Sequence, residues 1–119
     1  MKQIFKRIDT IFLRVKNIEE SLKWYEEIMD LELRWKSENY AAFNLGETAF
    51  TIYEPENITE FKLSEYATFN FYVSNITEAY DNLKSKGVEL GSIEDGGGVQ
   101  WFWFKDISGN RLEVCYFRE

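Results

Sequence analysis

The fold is decided by the stretch Val15-Lys16-Asn17-Ile18-Glu19-Glu20, which returns 58 positions later as Val73-Ser74-Asn75-Ile76-Thr77-Glu78. Four of the six positions are identical in the two stretches. In each, an Asn is placed to cap the start of a helix, and a Glu three residues on is placed to complete a capping box. The chain is therefore expected to use one structural unit twice, with functional residues at corresponding positions of the two copies.

Hydrophobic periodicity and turn residues predict the order βαβββ in both copies. In the first copy we expect a strand at Thr10–Val15, a helix from about Ile18 to Met29, and strands at Leu31–Lys36, Tyr40–Leu45 and Ala49–Glu54. In the second we expect a strand at Thr68–Val73, a helix at Ile76–Lys86, and strands near Val88–Ser92, Val99–Phe104 and Arg111–Phe117. Gly87 suits a left-handed helix stop, and Asp30 holds that place in the first copy.

These elements predict a single domain over residues 1–119, with a first module at about 4–54, a linker at 55–66 and a second module at about 67–117. The glycine-rich stretch 94–98 is expected to be a mobile loop. With 45% hydrophobic and 18% aromatic residues, the chain has ample material for a core. The predicted class is α+β.

Charge and composition limit the partners that we expect. The net charge of −7 argues against a nucleic-acid partner, because such binders neutralise phosphates with basic residues. No apolar run reaches the ~20 residues of a membrane span, and the first residues lack the apolar stretch of a signal peptide. With a single cysteine, Cys115, no internal disulfide can form. We therefore expect a cytoplasmic protein with no membrane partner.

Two segments carry a resemblance to a known family. Leu13–Tyr25 contains a strand, an acidic helix start and a Trp-Tyr pair, and Asp106–Val114 contains an aspartate, a glycine turn and a glutamate. Within a βαβββ repeat they resemble the vicinal oxygen chelate superfamily, which includes glyoxalase I, extradiol dioxygenases, fosfomycin-resistance enzymes and bleomycin-resistance proteins. The resemblance implies two tandem modules that form a curved mixed sheet around a cup. It also implies a homodimer.

The resemblance further implies a divalent metal in the cup, held by His and Glu side chains. The matching positions here are Thr10, Thr51, Thr68 and Glu113. Only Glu113 is a strong ligand, and the chain contains no histidine. We therefore predict no metal and no cofactor. Cys115 has no evident base beside it and is predicted to be an inert core residue.

Side chains alternate between the two faces of a strand, so the cup lining can be predicted by parity. The apolar set Ile11, Leu13 and Val15 should pack under the helices, which leaves the intervening residues for the cup. The same counting in the other strands predicts a ligand-binding set of Thr10, Phe12, Arg14, Thr51, Tyr53, Thr68, Asn70, Tyr72, Trp101, Trp103 and Glu113.

Aromatic rings with a carboxylate suit a flat or cationic ligand, because ring faces attract cations by about 0.5–2 kcal/mol. The leading interpretation is a metal-free protein that sequesters an aromatic or cationic small molecule, as bleomycin-resistance proteins do. One alternative is a lyase or isomerase, either metal-dependent or with Glu113, the sole catalytic candidate, as acid or base. Another is an accessory domain whose cup is filled by the tryptophans, with Arg14 and Glu113 paired.

Overall fold

The computed structural model describes residues 2–119. The chain divides into two compact units, the first ending at Phe61 and the second running Lys62–Glu119. They are called module one and module two below. The class is α+β, with one four-stranded mixed sheet and one main helix in each module. In the described part of the chain, no helix has the length and the apolar character that a membrane crossing needs.

Module one contains one helix, one sheet and a short 3₁₀ turn at Ile58–Glu60. Its elements are β1 (Thr10–Arg14), α1 (Ile18–Ile28), β2 (Glu32–Lys36), β3 (Tyr40–Asn44) and β4 (Ala49–Tyr53). The sheet order is β1-β4-β3-β2, with β1 parallel to β4 and the other pairs antiparallel. The predicted cap is present, since the Glu20 N–H donates to Asn17 Oδ1 over 2.9 Å.

Module two repeats this plan. Its elements are β5 (Phe71–Tyr72), α2 (Ile76–Ser85), β6 (Glu94–Gly96), β7 (Val99–Lys105) and β8 (Arg111–Phe117). The sheet order β5-β8-β7-β6 corresponds to that of module one, again with the first strand parallel to the last. Asn75 caps α2 by accepting from the Glu78 N–H over 3.0 Å. Gly87 ends the helix with φ 80°, and Asp30 has φ 55° at the matching position.

Each sheet packs one face against its own helix. In module one, the ring of Tyr25 contacts Phe43 and Phe50, with centroids 5.9 and 5.2 Å away. In module two, Phe102 is fully buried and meets the ring of Tyr80 edge-on at 5.3 Å. The opposite face of each sheet carries the polar and aromatic side chains that parity predicts, so the core fixes which residues remain for a site.

Two predictions for module two are wrong. The stretch Val88–Ser92 is not a strand, because only Leu90 pairs there, in an isolated bridge with Phe104. The second strand of module two lies instead at Glu94–Gly96, in the stretch predicted to be a mobile loop. Gly97 and Gly98 have φ 65° and 85°, the left-handed values that a two-residue hairpin turn requires. These glycines therefore form the turn that joins β6 to β7.

The strand predicted at Thr68–Val73 is also too long. Only Phe71–Tyr72 is paired, and Thr68 lies in a bend before it. The other predicted elements agree with the structure to within one or two residues at each end, the usual uncertainty of element boundaries.

Candidate functional site

A cleft of about 350 Å³ lies on the face of the module two sheet that is turned away from the buried core. Its floor is made by adjacent strands, in which Trp103 of β7 pairs with Glu113 of β8. The lining residues all belong to module two: Tyr66, Ala67, Ser92, Glu94, Trp101, Phe102, Trp103, Arg111 and Glu113. Volumes of this order are typical of small-molecule sites.

Both indoles of the cleft lie against glycines. A Cβ added at Gly91 would be only 2.2 Å from Trp103 Nε1, so the indole occupies the space that any side chain there would need. The Gly91 N–H also donates to the Trp103 carbonyl over 2.9 Å. A Cβ at Gly96 would lie 3.2 Å from Trp101 Cη2. The two glycines therefore let β7 place large flat side chains in the cleft.

The cleft contains two carboxylates and one guanidinium. Glu113 Oε2 accepts a hydrogen bond from Asn70 Nδ2 over 3.2 Å, and Glu94 accepts one from the Ser92 hydroxyl over 3.2 Å. Arg111 lies over the ring of Trp103, with its guanidinium carbon 4.6 Å from the ring centroid, in cation–π geometry. The acidic groups outnumber the basic one, so the lining favours a ligand with positive charge.

A buried turn fixes the start of β8 and the segment that carries Tyr66. Asp106 accepts from the backbone N–H and the side-chain amide of Asn110, over 2.8 and 3.1 Å. Asn110 Oδ1 in turn accepts from the Ser64 N–H over 2.9 Å, and the Arg111 N–H donates to the Ser64 carbonyl over 2.7 Å. Because of these bonds, residues far apart in the chain reach one cleft.

Two titratable groups of module two have raised pKa values. Burial raises the pKa of the Cys115 thiol, and the negative charge of Glu113 adds to the shift, so Cys115 stays protonated at neutral pH. Desolvation, followed by the charge of Glu119, raises the pKa of Tyr72. The Tyr72 hydroxyl donates to the Phe117 carbonyl over 2.9 Å.

The predicted site residues of module one share the outer face of its own sheet. The hydroxyls of Thr10 and Thr51 are 2.7 Å apart, and Thr10 also donates to the Ala49 carbonyl over 2.9 Å. Arg14 Nε donates to the Tyr53 hydroxyl over 2.7 Å. Phe12 lies on this face with 58% of its surface exposed. A smaller hollow of about 260 Å³ is lined by Arg14, Asn39, Tyr40, Tyr53, Glu54, Pro55, Glu56 and Glu60.

Within module two, the structure brings Trp101, Trp103 and Glu113 together in the cleft, with Asn70 in contact with Glu113. Thr68 and Tyr72 are not among the lining residues, and Tyr72 lines a separate hollow beside the start of α2.

Sequence reasoning missed six of the nine lining residues: Tyr66, Ala67, Ser92, Glu94, Phe102 and Arg111. Arg111 could have been found by parity, because it lies two residues before Glu113 on the same strand. Glu94 belongs to the strand that was predicted as a loop. No local pattern marks Tyr66, which reaches the cleft through the Ser64 contacts described above.

The side chains do not fit the divalent metal that the resemblance implies. The sequence has no histidine, and within residues 2–119 no three His, Cys, Asp or Glu side chains form a group that could hold a metal ion. The Thr10 hydroxyl already bonds a backbone carbonyl and another hydroxyl. A single carboxylate with neutral hydroxyls is a weak donor set for such a cation.

Comparison with protein families and curated proteins gives two further findings. The model of the Glyoxalase/Bleomycin resistance protein/Dioxygenase superfamily matches residues 7–114. The metallothiol transferase FosB of Staphylococcus haemolyticus is 29% identical over 116 residues, which cover 93% of this chain and 84% of that protein.

Solved structures show the same fold. A putative glyoxalase family protein from Bacillus anthracis superposes with a TM-score of 0.84 at 25% identity, covering 99% of this chain and 100% of that one. TnmS3, an antibiotic binding protein from Streptomyces sp. CB03234, gives a TM-score of 0.85 at 11% identity, covering 98% and 100%. At that identity the second likeness concerns the fold alone.

Proposed function

Since this chain belongs to the glyoxalase/bleomycin resistance protein/dioxygenase superfamily, we propose that it binds a small aromatic organic cation in the module two cleft and holds it without chemical change. One observation carries the proposal: a cleft of about 350 Å³ combines two indoles and a phenol with two carboxylates. The proposed role is sequestration of an aromatic or cationic small molecule.

The aromatic groups account for the shape of the proposed ligand. Trp101 and Tyr66 present flat rings to the cleft, and rings of this kind bind flat molecules by stacking and cations through their faces. Each cation–π contact contributes about 0.5–2 kcal/mol, depending on how far water is excluded. Two or three such contacts together contribute about 1–6 kcal/mol without any covalent or metal bond.

The charges account for the sign of the proposed ligand. Glu113 and Glu94 lie in the lining, and the whole chain carries a net charge of −7. An acidic field of this kind raises the local concentration of cations and speeds their association. An aromatic anion of the same size is expected to bind more weakly.

The donor set supports binding over metal-assisted group transfer. FosB is named a metallothiol transferase, but this chain has no histidine and no group of three metal-ligating side chains within residues 2–119. TnmS3 is described as an antibiotic binding protein, the kind of role proposed here. A homodimer and a cytoplasmic location also remain predictions, and analytical ultracentrifugation tests the first of them.

The experiment is a fluorescence titration with 9-aminoacridine, a flat aromatic cation at neutral pH, against anthracene-9-carboxylate, an anion of similar shape. We expect one saturable site per chain for the cation and clearly weaker binding of the anion. Trp101→Ala should weaken cation binding about tenfold, equivalent to about 1.4 kcal/mol. Trp35→Ala is the matched control, because that indole lies in module one and is 47% exposed.

Circular dichroism of both variants checks that each is folded. Saturable binding that falls in Trp101→Ala and stays unchanged in Trp35→Ala supports the cleft. The proposal is wrong if neither probe binds the wild type, or if the two variants bind the cation equally well.

A further inference from the structure

Arg111 is held in the cleft by stacking and by its backbone. Its guanidinium carbon lies 4.6 Å from the Trp103 ring centroid, and its N–H donates to the Ser64 carbonyl over 2.7 Å. The residue is half-buried and lines the cleft. A guanidinium that contacts a ring face keeps N–H donors at its edge available for hydrogen bonds.

The guanidinium has no polar partner within residues 2–119, since neither a side-chain hydrogen bond nor an ion pair involves it. The neighbouring carboxylate, Glu113, accepts instead from Asn70. A guanidinium carries five N–H donors in a planar fork that matches the two oxygens of a carboxylate. A fixed fork whose donors are open to a cleft is preorganised to bind an anionic group.

Arg111 and Glu113 are two residues apart on β8, so both side chains are on the same face, about 7 Å apart along the strand. The cleft thus offers a positive and a negative group at a fixed spacing, beside the indoles. We propose that Arg111 selects ligands with an anionic group, so that the preferred ligand is a flat aromatic zwitterion. Its cationic group faces Glu113 and its carboxylate binds Arg111.

This inference rests on the proposed function, because it specifies the ligand class of the same cleft. It goes beyond that function because it assigns to Arg111 a role that a site for cations alone does not need. For a purely cationic ligand, Arg111 is a repulsive charge. For a zwitterion it is a partner, so the two ideas predict opposite effects of removing it.

A suitable probe pair is 9-aminoacridine and 9-aminoacridine-4-carboxylic acid, which share one ring system and differ by one carboxylate. We expect the acid to bind the wild type about tenfold more tightly, because hydrogen bonds between a guanidinium and a carboxylate are stronger than those between neutral groups. Arg111→Gln should abolish this preference, because it removes the partner of the carboxylate and, for 9-aminoacridine, a repulsive charge. Circular dichroism shows whether the variant is folded.

Lys105→Gln is the matched control. Lys105 also lies near the Trp103 ring, with its Nζ 6.0 Å from the centroid, but it pairs with Glu89 over 3.1 Å and is not part of the cleft lining. Removing its charge should therefore keep the preference for the acid. Arg111→Lys keeps the charge but loses the fork, so it should retain only part of the preference.

The outcomes separate this inference from the proposal beneath it. If 9-aminoacridine binds but the acid binds no more tightly, or if Arg111→Gln keeps the preference, the role of Arg111 is wrong and the cation site stands. If neither compound binds the wild type, the proposed function fails and this inference fails with it.

Discussion

The two modules share one scaffold and differ in what they place on the outer face of the sheet. In module one, Thr51 of β4 pairs with Ala42 of β3, and both are almost fully buried. At the corresponding place in module two, Glu113 of β8 pairs with Trp103 of β7, and both line the cleft. The same strand positions thus carry small inert groups in one module and an indole with a carboxylate in the other.

The first strands show the same division. Phe12 of module one pairs with Thr51 and is 58% exposed, whereas Asn70, 58 positions later, donates a hydrogen bond to Glu113. The repeat therefore fixes the positions at which side chains are placed. The identity of the side chains at those positions decides that the aromatic cleft forms in module two. Module two is therefore the place to look for a ligand.

The largest expected effect is on the free energy of unfolding, and it concerns the turn between the last two strands of each module. Asp106→Ala removes two hydrogen bonds to Asn110 at a buried site and should lower the free energy of unfolding by about 2–3 kcal/mol. The corresponding turn of module one carries Glu47, which is exposed, so Glu47→Ala should change it by less than about 0.5 kcal/mol. Urea unfolding followed by fluorescence and circular dichroism measures both variants. Equal losses would contradict the asymmetry.

A smaller effect should follow from the glycines beneath the indoles. A Cβ at Gly91 would overlap Trp103, at 2.2 Å, so Gly91→Ala must displace the ring and the guanidinium stacked on it. We expect roughly tenfold weaker binding of 9-aminoacridine-4-carboxylic acid. In Gly96→Ala the new Cβ would lie 3.2 Å from the Trp101 ring, a contact that a small shift of the ring relieves. This variant should therefore reduce the affinity much less. Unchanged affinity in Gly91→Ala would show that the placement of Trp103 is unimportant.

The smallest effect concerns Cys115, whose pKa is raised first by burial and then by the charge of Glu113. The folded protein should react slowly with iodoacetamide at pH 7.5, and faster as the pH rises and the thiolate forms. Glu113→Gln removes the negative charge beside the thiol, so the pKa of Cys115 should fall and its rate of alkylation at pH 8 should rise about twofold. Quenched alkylation followed by mass spectrometry measures the rate. A slower reaction in Glu113→Gln would contradict the electrostatic link between the two side chains.

Local patterns predicted most of the fold. The caps Asn17 and Asn75 and the helical spacing of apolar residues predicted both helices, and alternation in the strands predicted that Trp103 and Glu113 lie on the face opposite the core. These predictions succeeded because a helix start and a strand face are fixed by residues close together in sequence.

The remaining features depend on contacts between distant residues or on turn geometry. The link from Asn110 to Ser64, which brings Tyr66 to the cleft, spans 46 positions and leaves no local signal. The strand Glu94–Gly96 was missed because a run of glycines was interpreted as flexibility, whereas Gly97 and Gly98 form a hairpin turn. The stacking of Arg111 on Trp103 needed the observed side-chain positions.

The central claim is that the cleft binds an aromatic cation with the protein's own side chains. Isothermal titration of metal-stripped protein with 9-aminoacridine, in EDTA and again in buffer with excess Mn²⁺ or Zn²⁺, tests it most directly. The account predicts the same affinity and one site per chain in all three conditions, with weaker binding in Glu113→Gln. Binding that appears only after the metal is added, and is lost in Glu113→Gln, would contradict the account and indicate a metal site built on Glu113.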